Sequence, residues 1–242
     1  MASSERSLYR ILGSIAYYVE KYPLAIVYFY FSWVEGSQVH LESLGSSHVA
    51  GPEYVAVVSH VILFLLQFSI GIFLLISRKP SFHPSSIWEI VVPLAAMLFF
   101  MVYRLVSQFP PTWRTSLLTL EAQTTAARIA LILGLIGPAI SAWGVFYLGR
   151  SFGIFVSVRN VVLRGPYRFV RHPIYLGYLF VWTGFLLVNF CPAVLVIIPV
   201  HALVFLWRAL LEEKRLAEAS PDYREYLRRT GFLFPRLGLL SK

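Results

Sequence analysis

Five nearly unbroken apolar stretches, separated by short polar segments, dominate the chain. Residues 55–77, 87–107 and 126–148 are each long enough, wound as α-helices, to cross a hydrocarbon core of ~30 Å. The stretch 173–211 is too long for one crossing and predicts a helical hairpin. Its turn belongs at Asn189-Phe190-Cys191-Pro192, because proline is poorly tolerated inside a helix but acceptable in a first turn. Residues 11–34 form a fifth stretch, interrupted by Glu20, Lys21 and Pro23. The pattern predicts an all-α polytopic membrane bundle of about six transmembrane helices, or five if residues 11–34 do not span, with a cytosolic helical segment at the C-terminus.

Composition agrees with that class. The chain is 57% hydrophobic and 14% charged, with a mean hydropathy of +0.67. With 242 residues and no polar stretch long enough to fold separately, a single integral membrane domain is expected. Within it, residues 1–125 supply N-terminal helices. Residues 126–242 supply a core with a cytosolic loop at 149–172 and a tail at 212–242. One cysteine, Cys191, rules out an internal disulfide and a thiolate metal cluster.

Charge sets the orientation. The segment 35–54 has no Lys or Arg, whereas Arg78-Lys79, then Arg150, Arg159, Arg164, Arg168 and Arg171, and the Arg-rich tail fall on the alternate side. Six crossings reproduce that alternation, with Arg6, Arg10, Lys21 and both termini cytoplasmic under the positive-inside rule. Arg150, Arg159 and Arg164 read by default as topology determinants. The net charge of +9 lies in short segments flanking apolar runs, so no nucleic-acid partner is expected. No cleavable signal peptide is expected either. A bacterial inner membrane or the endoplasmic reticulum suits this pattern.

Two polar clusters meet that cytosolic boundary. Gly165-Pro-Tyr-Arg168-Phe-Val-Arg171-His172-Pro-Ile-Tyr175-Leu-Gly177 stands against the start of the hairpin. Arg168, Arg171 and His172 are donors suited to a carboxylate or phosphate. Pro173 opens a helix whose free amides and dipole face the same surface. The second cluster closes the hairpin. At ~100° per residue, Arg208, Glu212 and Arg215 point within about 40° of His201, and Glu213 about 100° away from Glu212. Arg208 and Glu212 form an i, i+4 pair that leaves Glu213 free for a ligand. Residues 154–163 run amphipathic. Residues 222–229 read as a short amphipathic helix whose Tyr223 and Tyr226 are interfacial anchors by default, or cap the site. His201 reads by default as a hydrogen-bonded bundle residue.

The series Gly-Pro-Tyr-Arg-x-x-Arg-His-Pro-x-Tyr-x-Gly at 165–177, then Glu212-Glu213, then Tyr223-x-x-Tyr226 before Phe234-Pro235 resembles the membrane methyltransferases that include isoprenylcysteine carboxyl methyltransferase and the phospholipid N-methyltransferases. The likeness covers roughly the last 110 residues. It implies S-adenosyl-L-methionine as cofactor, held between helix ends and the C-terminal segment rather than in a Rossmann fold. His172, Tyr175 and Gly177 would lie along the cofactor, with Arg168 and Arg171 near its methionine carboxylate and Glu213 on its ribose hydroxyls or amino group. Arg208 and Glu212 would stand at the reacting end as catalytic residues.

The acceptor implied is lipid-like or otherwise apolar: a prenylcysteine-type carboxylate, a phospholipid amine or a small thiol, entering beside membrane lipids past Phe155, Trp182, Phe185 and Phe205. Oligomeric state is left open. Membrane sterol reductases share an Arg-His-Pro-x-Tyr-x-Gly element and use NADPH, but they usually follow that glycine with an acidic residue, where Tyr178 stands here. A non-enzymatic membrane scaffold is the third reading.

Overall fold

The structure, a computed structural model, describes residues 3–45, 52–81, 84–106 and 109–236. Side chains are described from residue 11 onward, apart from 35, 38–45, 52–60, 62–63 and 98–106 within those segments. Those of Arg6 and Arg10 lie outside this set. Among the described residues the regular secondary structure is all helical, with no sheet beyond an isolated bridge between Val170 and Gly231.

The first apolar stretch is helical through its polar interruption. Helix α1 (Ser3–Val19) runs through a π-helical turn (Glu20–Leu24) into α2 (Ala25–Gly45). Pro23 lies inside that turn. Proline removes a backbone donor and crowds the preceding turn, and a local widening to π geometry absorbs such a disturbance without ending the helix. Next come α3 (Pro52–Leu75), α4 (Trp88–Val106), the one-turn α5 (Pro111–Arg114) and α6 (Leu120–Leu148). The hairpin is α7 (Pro173–Val188) and α8 (Pro192–Ala219), with its turn at the position read from Pro192. Helix α9 (Pro221–Arg229) follows, its first turn capped by the Ser220 hydroxyl, which accepts from the Tyr223 amide at 3.3 Å.

Helices α2, α3, α6 and α7 pack in succession, α7 meets α8, and α8 returns to α4. The closest approach is between α6 and α7, where small residues face each other. A Cβ on Gly137 would lie 2.6 Å from the Gly177 carbonyl oxygen, and the Ser141 hydroxyl donates to the Ile174 carbonyl at 3.1 Å. Small residues let helix backbones touch where there is little hydrophobic gain to drive association. Leu24, Ala25, Tyr28, Ile70, Leu74 and Val145 form the main buried cluster, joined by Phe152, Ile154 and Phe155 of the segment after α6.

The outer surface is apolar, with Ile26, Trp33, Phe146 and Leu203 all at least 64% exposed. Such a surface is foreign to a soluble monomer. Two helical segments, Leu120–Ser151 and Pro192–Ala219, are long and apolar enough to cross a membrane. Substituting Gly177→Val forces side-chain atoms into the Gly137 carbonyl and Ser141. An overpacked contact of this kind costs about 1–3 kcal/mol, so the variant should melt below the wild type in detergent, and an unchanged melting temperature would show that α6 and α7 separate freely.

Candidate active site

The segment between α6 and α7 leaves the helix through Gly149 (φ +50°) and a single 3-10 turn (Gly149–Ser151). The Arg78 amide donates to the Arg150 carbonyl at 2.8 Å, which holds this end of α6 beside the end of α3. Residues 154–163, expected to be amphipathic, carry no helix. They run non-helical, with Ile154, Phe155, Val156 and Val158 buried and residues 160–163 more open. The Val156 amide donates to the Glu89 carbonyl at 3.0 Å, so the segment is stitched to α4 as well.

Beneath that segment lies an ion pair not read from the sequence. Glu20, inside the π turn, is 1% exposed and accepts from Arg159 Nη2 at 2.7 Å. Its other oxygen accepts from the amides of Ile154 and Phe155. Arg159 also donates to the Arg78 carbonyl at 2.8 Å and the Ser157 hydroxyl at 2.9 Å. Arg159 is therefore a buried structural cation and not a surface topology determinant. Gly153 permits this geometry, since a Cβ there would run into the Arg159 guanidinium and Glu20.

The cassette continues through a 3-10 turn (Gly165–Arg168) into an extended stretch that the C-terminal tail clamps. The Arg171 amide donates to the Gly231 carbonyl at 2.9 Å and the His172 amide to that of Phe232 at 3.2 Å. Tyr226 Oη donates to the Tyr167 carbonyl at 2.5 Å. Burial raises the Tyr226 phenol well above its ordinary range, and burial does the same for Tyr167, so both stay protonated donors. Tyr223 and Tyr226, read by default as interfacial anchors, are turned inward at 4% and 9% exposure. The charged face of α9 points outward instead.

The two polar clusters meet here. Glu213 accepts from Arg171 Nε at 2.6 Å and lies 3.0 Å from His172 Nε2. Arg171 also donates to the carbonyls of Leu227 and Thr230 at 2.9 and 2.8 Å. Glu213 is thus clear of Arg208, as the helical geometry indicated, and the cassette engages it through Oε1. Glu212 faces another way and accepts from Tyr175 Oη at 2.6 Å and from Arg208 Nε at 3.0 Å. Arg208 Nη2 donates to the Ile154 carbonyl at 2.9 Å. The His172 ring stacks on Tyr175, with centroids 5.1 Å apart, and packs against Phe232 at 4.8 Å.

These side chains rim a cavity of about 530 Å³. Arg171, His172, Tyr175, Arg208 and Glu212 line its polar end. Phe155, Trp182, Phe185 and Phe205, expected as walls, line it too. The helical stripe of His201, Arg208, Glu212 and Arg215 borders it along its length. Glu213 stands behind the rim. Arg168 is exposed, with its guanidinium 4.7 Å from the Phe169 ring centre. Gly177 packs on α6 rather than lining the space. His201 leans on Trp182 and Phe205, 4.4 and 4.8 Å between ring centres.

Residues 125–220 match the family model described as phospholipid methyltransferase. Over this segment the chain is similar to the phospholipid methyltransferase family. The chain is also 31% identical over 166 residues to the cobalt-zinc-cadmium resistance protein CzcN of Cupriavidus metallidurans, a match covering 65% of this chain and 66% of that protein. The family segment includes the cassette and all of α8, and therefore Arg171, His172, Tyr175, Arg208, Glu212 and Glu213. Glu20, which braces the Ile154 peptide that Arg208 holds, lies outside it.

No signal within the first helix marks Glu20 as paired. A lone carboxylate amid apolar residues and a surplus arginine in a later loop are the only hint. Removing one partner of a buried ion pair costs about 3–5 kcal/mol. Glu20→Ala should therefore lower the melting temperature sharply, and the double variant Glu20→Ala/Arg159→Met should recover part of the loss. Equal melting of Glu20→Ala and wild type would show that the pair contributes nothing.

Proposed function

We propose that the protein transfers a methyl group from S-adenosyl-L-methionine to a lipophilic, membrane-partitioned acceptor at the cytosolic face. The observation that carries this reading is the division of one cavity: charged groups from two distant stretches at one end, aromatic and aliphatic walls at the other. Its volume falls within the ~300–1,000 Å³ usual for small-molecule sites. Similarity to that family supports methyl transfer as the reaction class.

The residues present fit the cofactor. Bound there, S-adenosylmethionine supplies a methyl group on a cationic sulfur. Glu212 offers that cation a carboxylate, and Tyr175, Tyr178 and Phe205 line the same cavity with aromatic faces, which attract cations. Ser151, Ser157 and Asn160, at the loop side of the cavity, offer polar groups to a ribose or base. Arg171 and His172 line the polar end, and Glu213 holds them in place from behind.

Arg208 has Nε and Nη2 committed to Glu212 and Ile154, so Nη1 is the nitrogen it turns to an anionic acceptor. A carboxylate acceptor needs no base. An amine or thiol must lose a proton first, and Glu212 is positioned to take it. The rest of the catalytic effect is alignment of the nucleophile with the methyl group in a dry space, where positioning alone contributes several kcal/mol, about 7–11 in the best-aligned cases.

The proposed topology is six crossings with both termini cytoplasmic. Its support is the convergence at one end of the bundle of the α3, α6 and α8 C-termini with the α4 and α7 N-termini. The Arg78–Arg150 backbone bond, the Glu89–Arg215 pair at 3.5 Å and the His172–Glu213 contact tie these ends together. Their arginines then lie on the side that the positive-inside rule requires.

Purified protein titrated with S-adenosylhomocysteine should melt higher, by an amount equivalent to about 2.7 kcal/mol at a hundredfold excess over Kd. NADPH should leave melting unchanged, and a shift with NADPH alone would move the protein to the reductase class. In Arg208→Ala, the S-adenosylhomocysteine shift should persist while labelled methyl incorporation into lipid extract falls at least a hundredfold. Loss of both together would put Arg208 on the cofactor.

A further inference from the structure

The apolar end of the cavity holds a polar group with no task in the reading above. Gln67, on α3, lines the cavity and is 9% exposed, and its Oε1 is buried without a hydrogen-bond partner among the described residues. Among the described residues, the rest of the lining from α2, α3 and α4 is Tyr28, Phe31, Leu66, Ala96 and Met97, which is apolar except for the Tyr28 phenol. Buried amide carbonyls are almost always paired. One left unpaired at the edge of a cavity is unfavourable until a turn of its side-chain amide brings it against a donor.

Depth locates that donor. Gln67 lies eight residues before the end of α3 at Leu75. On the facing helices, Trp182 is nine residues beyond Pro173, and His201, against which it packs, is seven residues before Arg208. At ~1.5 Å of rise per residue, these levels lie roughly 10–15 Å below the charged rim.

Resting on the methyl-transfer reading, we propose that Gln67 recognises a hydrogen-bond donor, a hydroxyl or amide N–H, carried within the apolar body of the acceptor about 10 Å from the methylated atom. The acceptor is then a hydroxylated or amide-bearing lipid. An unbroken hydrocarbon tail would seal the carbonyl away from any partner. A site built around a hydrogen bond rejects an analogue lacking it far more strongly than an apolar pocket rejects a change of length.

The test needs no turnover. Wild type and Gln67→Leu are incubated with the total lipid extract of the expression host and washed in detergent. The lipids that remain bound are identified by mass spectrometry. Wild type should enrich species with a hydroxyl or amide N–H in the apolar body at least tenfold over the extract. Gln67→Leu should lose that enrichment while keeping the wild-type melting shift with S-adenosylhomocysteine. Should the leucine variant melt early, Gln67→Met, which preserves side-chain length, serves in its place. Retention of plain hydrocarbon lipids, retention of none, or equal enrichment by the variant overturns the proposal. A missing S-adenosylhomocysteine shift in wild type counts instead against the methyl-transfer reading, since lipid retention is scored separately.

Discussion

A carboxylate held away from water requires a cation and a full set of donors, and this structure is organised around meeting that requirement. Glu20 meets it with both oxygens, and Glu213 meets it through Oε1 alone. Glu213 joins α8 to the cassette before α7 through Arg171 and His172, residues more than forty positions earlier in the chain. Neither stretch is held in place by apolar packing alone, because both sit where the helices end. Breaking a buried pair leaves an uncompensated charge, so the two stretches stay together or the cavity rim comes apart. Arg171 Nη1 donates to the carbonyls of Leu227 and Thr230, which carries the same constraint into the tail.

The Glu20–Arg159 pair does for the opposite wall what Glu213 does for the rim. It pins the segment after α6 against the first helix by engaging the Ile154 and Phe155 amides. The Ile154 carbonyl then accepts from Arg208. One peptide unit thus connects the buried pair to the charged end of the cavity. Arg208 is held between Ile154 and Glu212, and Glu212 between Arg208 and Tyr175, so the polar side chains facing the cavity have few alternative arrangements. The close fit of Gly137 against Gly177 sets how near α6 and α7 stand and hence where Tyr175 lies relative to α8.

Much of this site was legible as pattern. A helix repeats every 3.6 residues, so His201, Arg208, Glu212 and Arg215 had to share a face, and the face is the one bordering the cavity. Proline restricts where helices begin, so Pro173 and Pro192 marked the starts of α7 and α8. Other features were not legible. Tyr223 and Tyr226 read by default as membrane anchors, with capping of the site as the other reading; they turn inward to border the cavity, where Tyr226 Oη reaches the carbonyls of Tyr167 and Val170. Residues 154–163 read as amphipathic, yet they take the conformation that feeds amides to Glu20 and Glu89 rather than a helix.

What the chain alone determined is therefore whatever depends on neighbours within a few turns: the apolar helices, their proline-marked starts, the Arg208–Glu212 pair, and the identity of the residues crowded at one end of the bundle. Only the tertiary structure decided which charges neutralise which. The assignment of Glu213 to Arg171 and His172, of Glu20 to Arg159, and of Gln67 to the cavity rests on groups brought together from distant positions. Periodicity along a helix carries no record of what stands across from it.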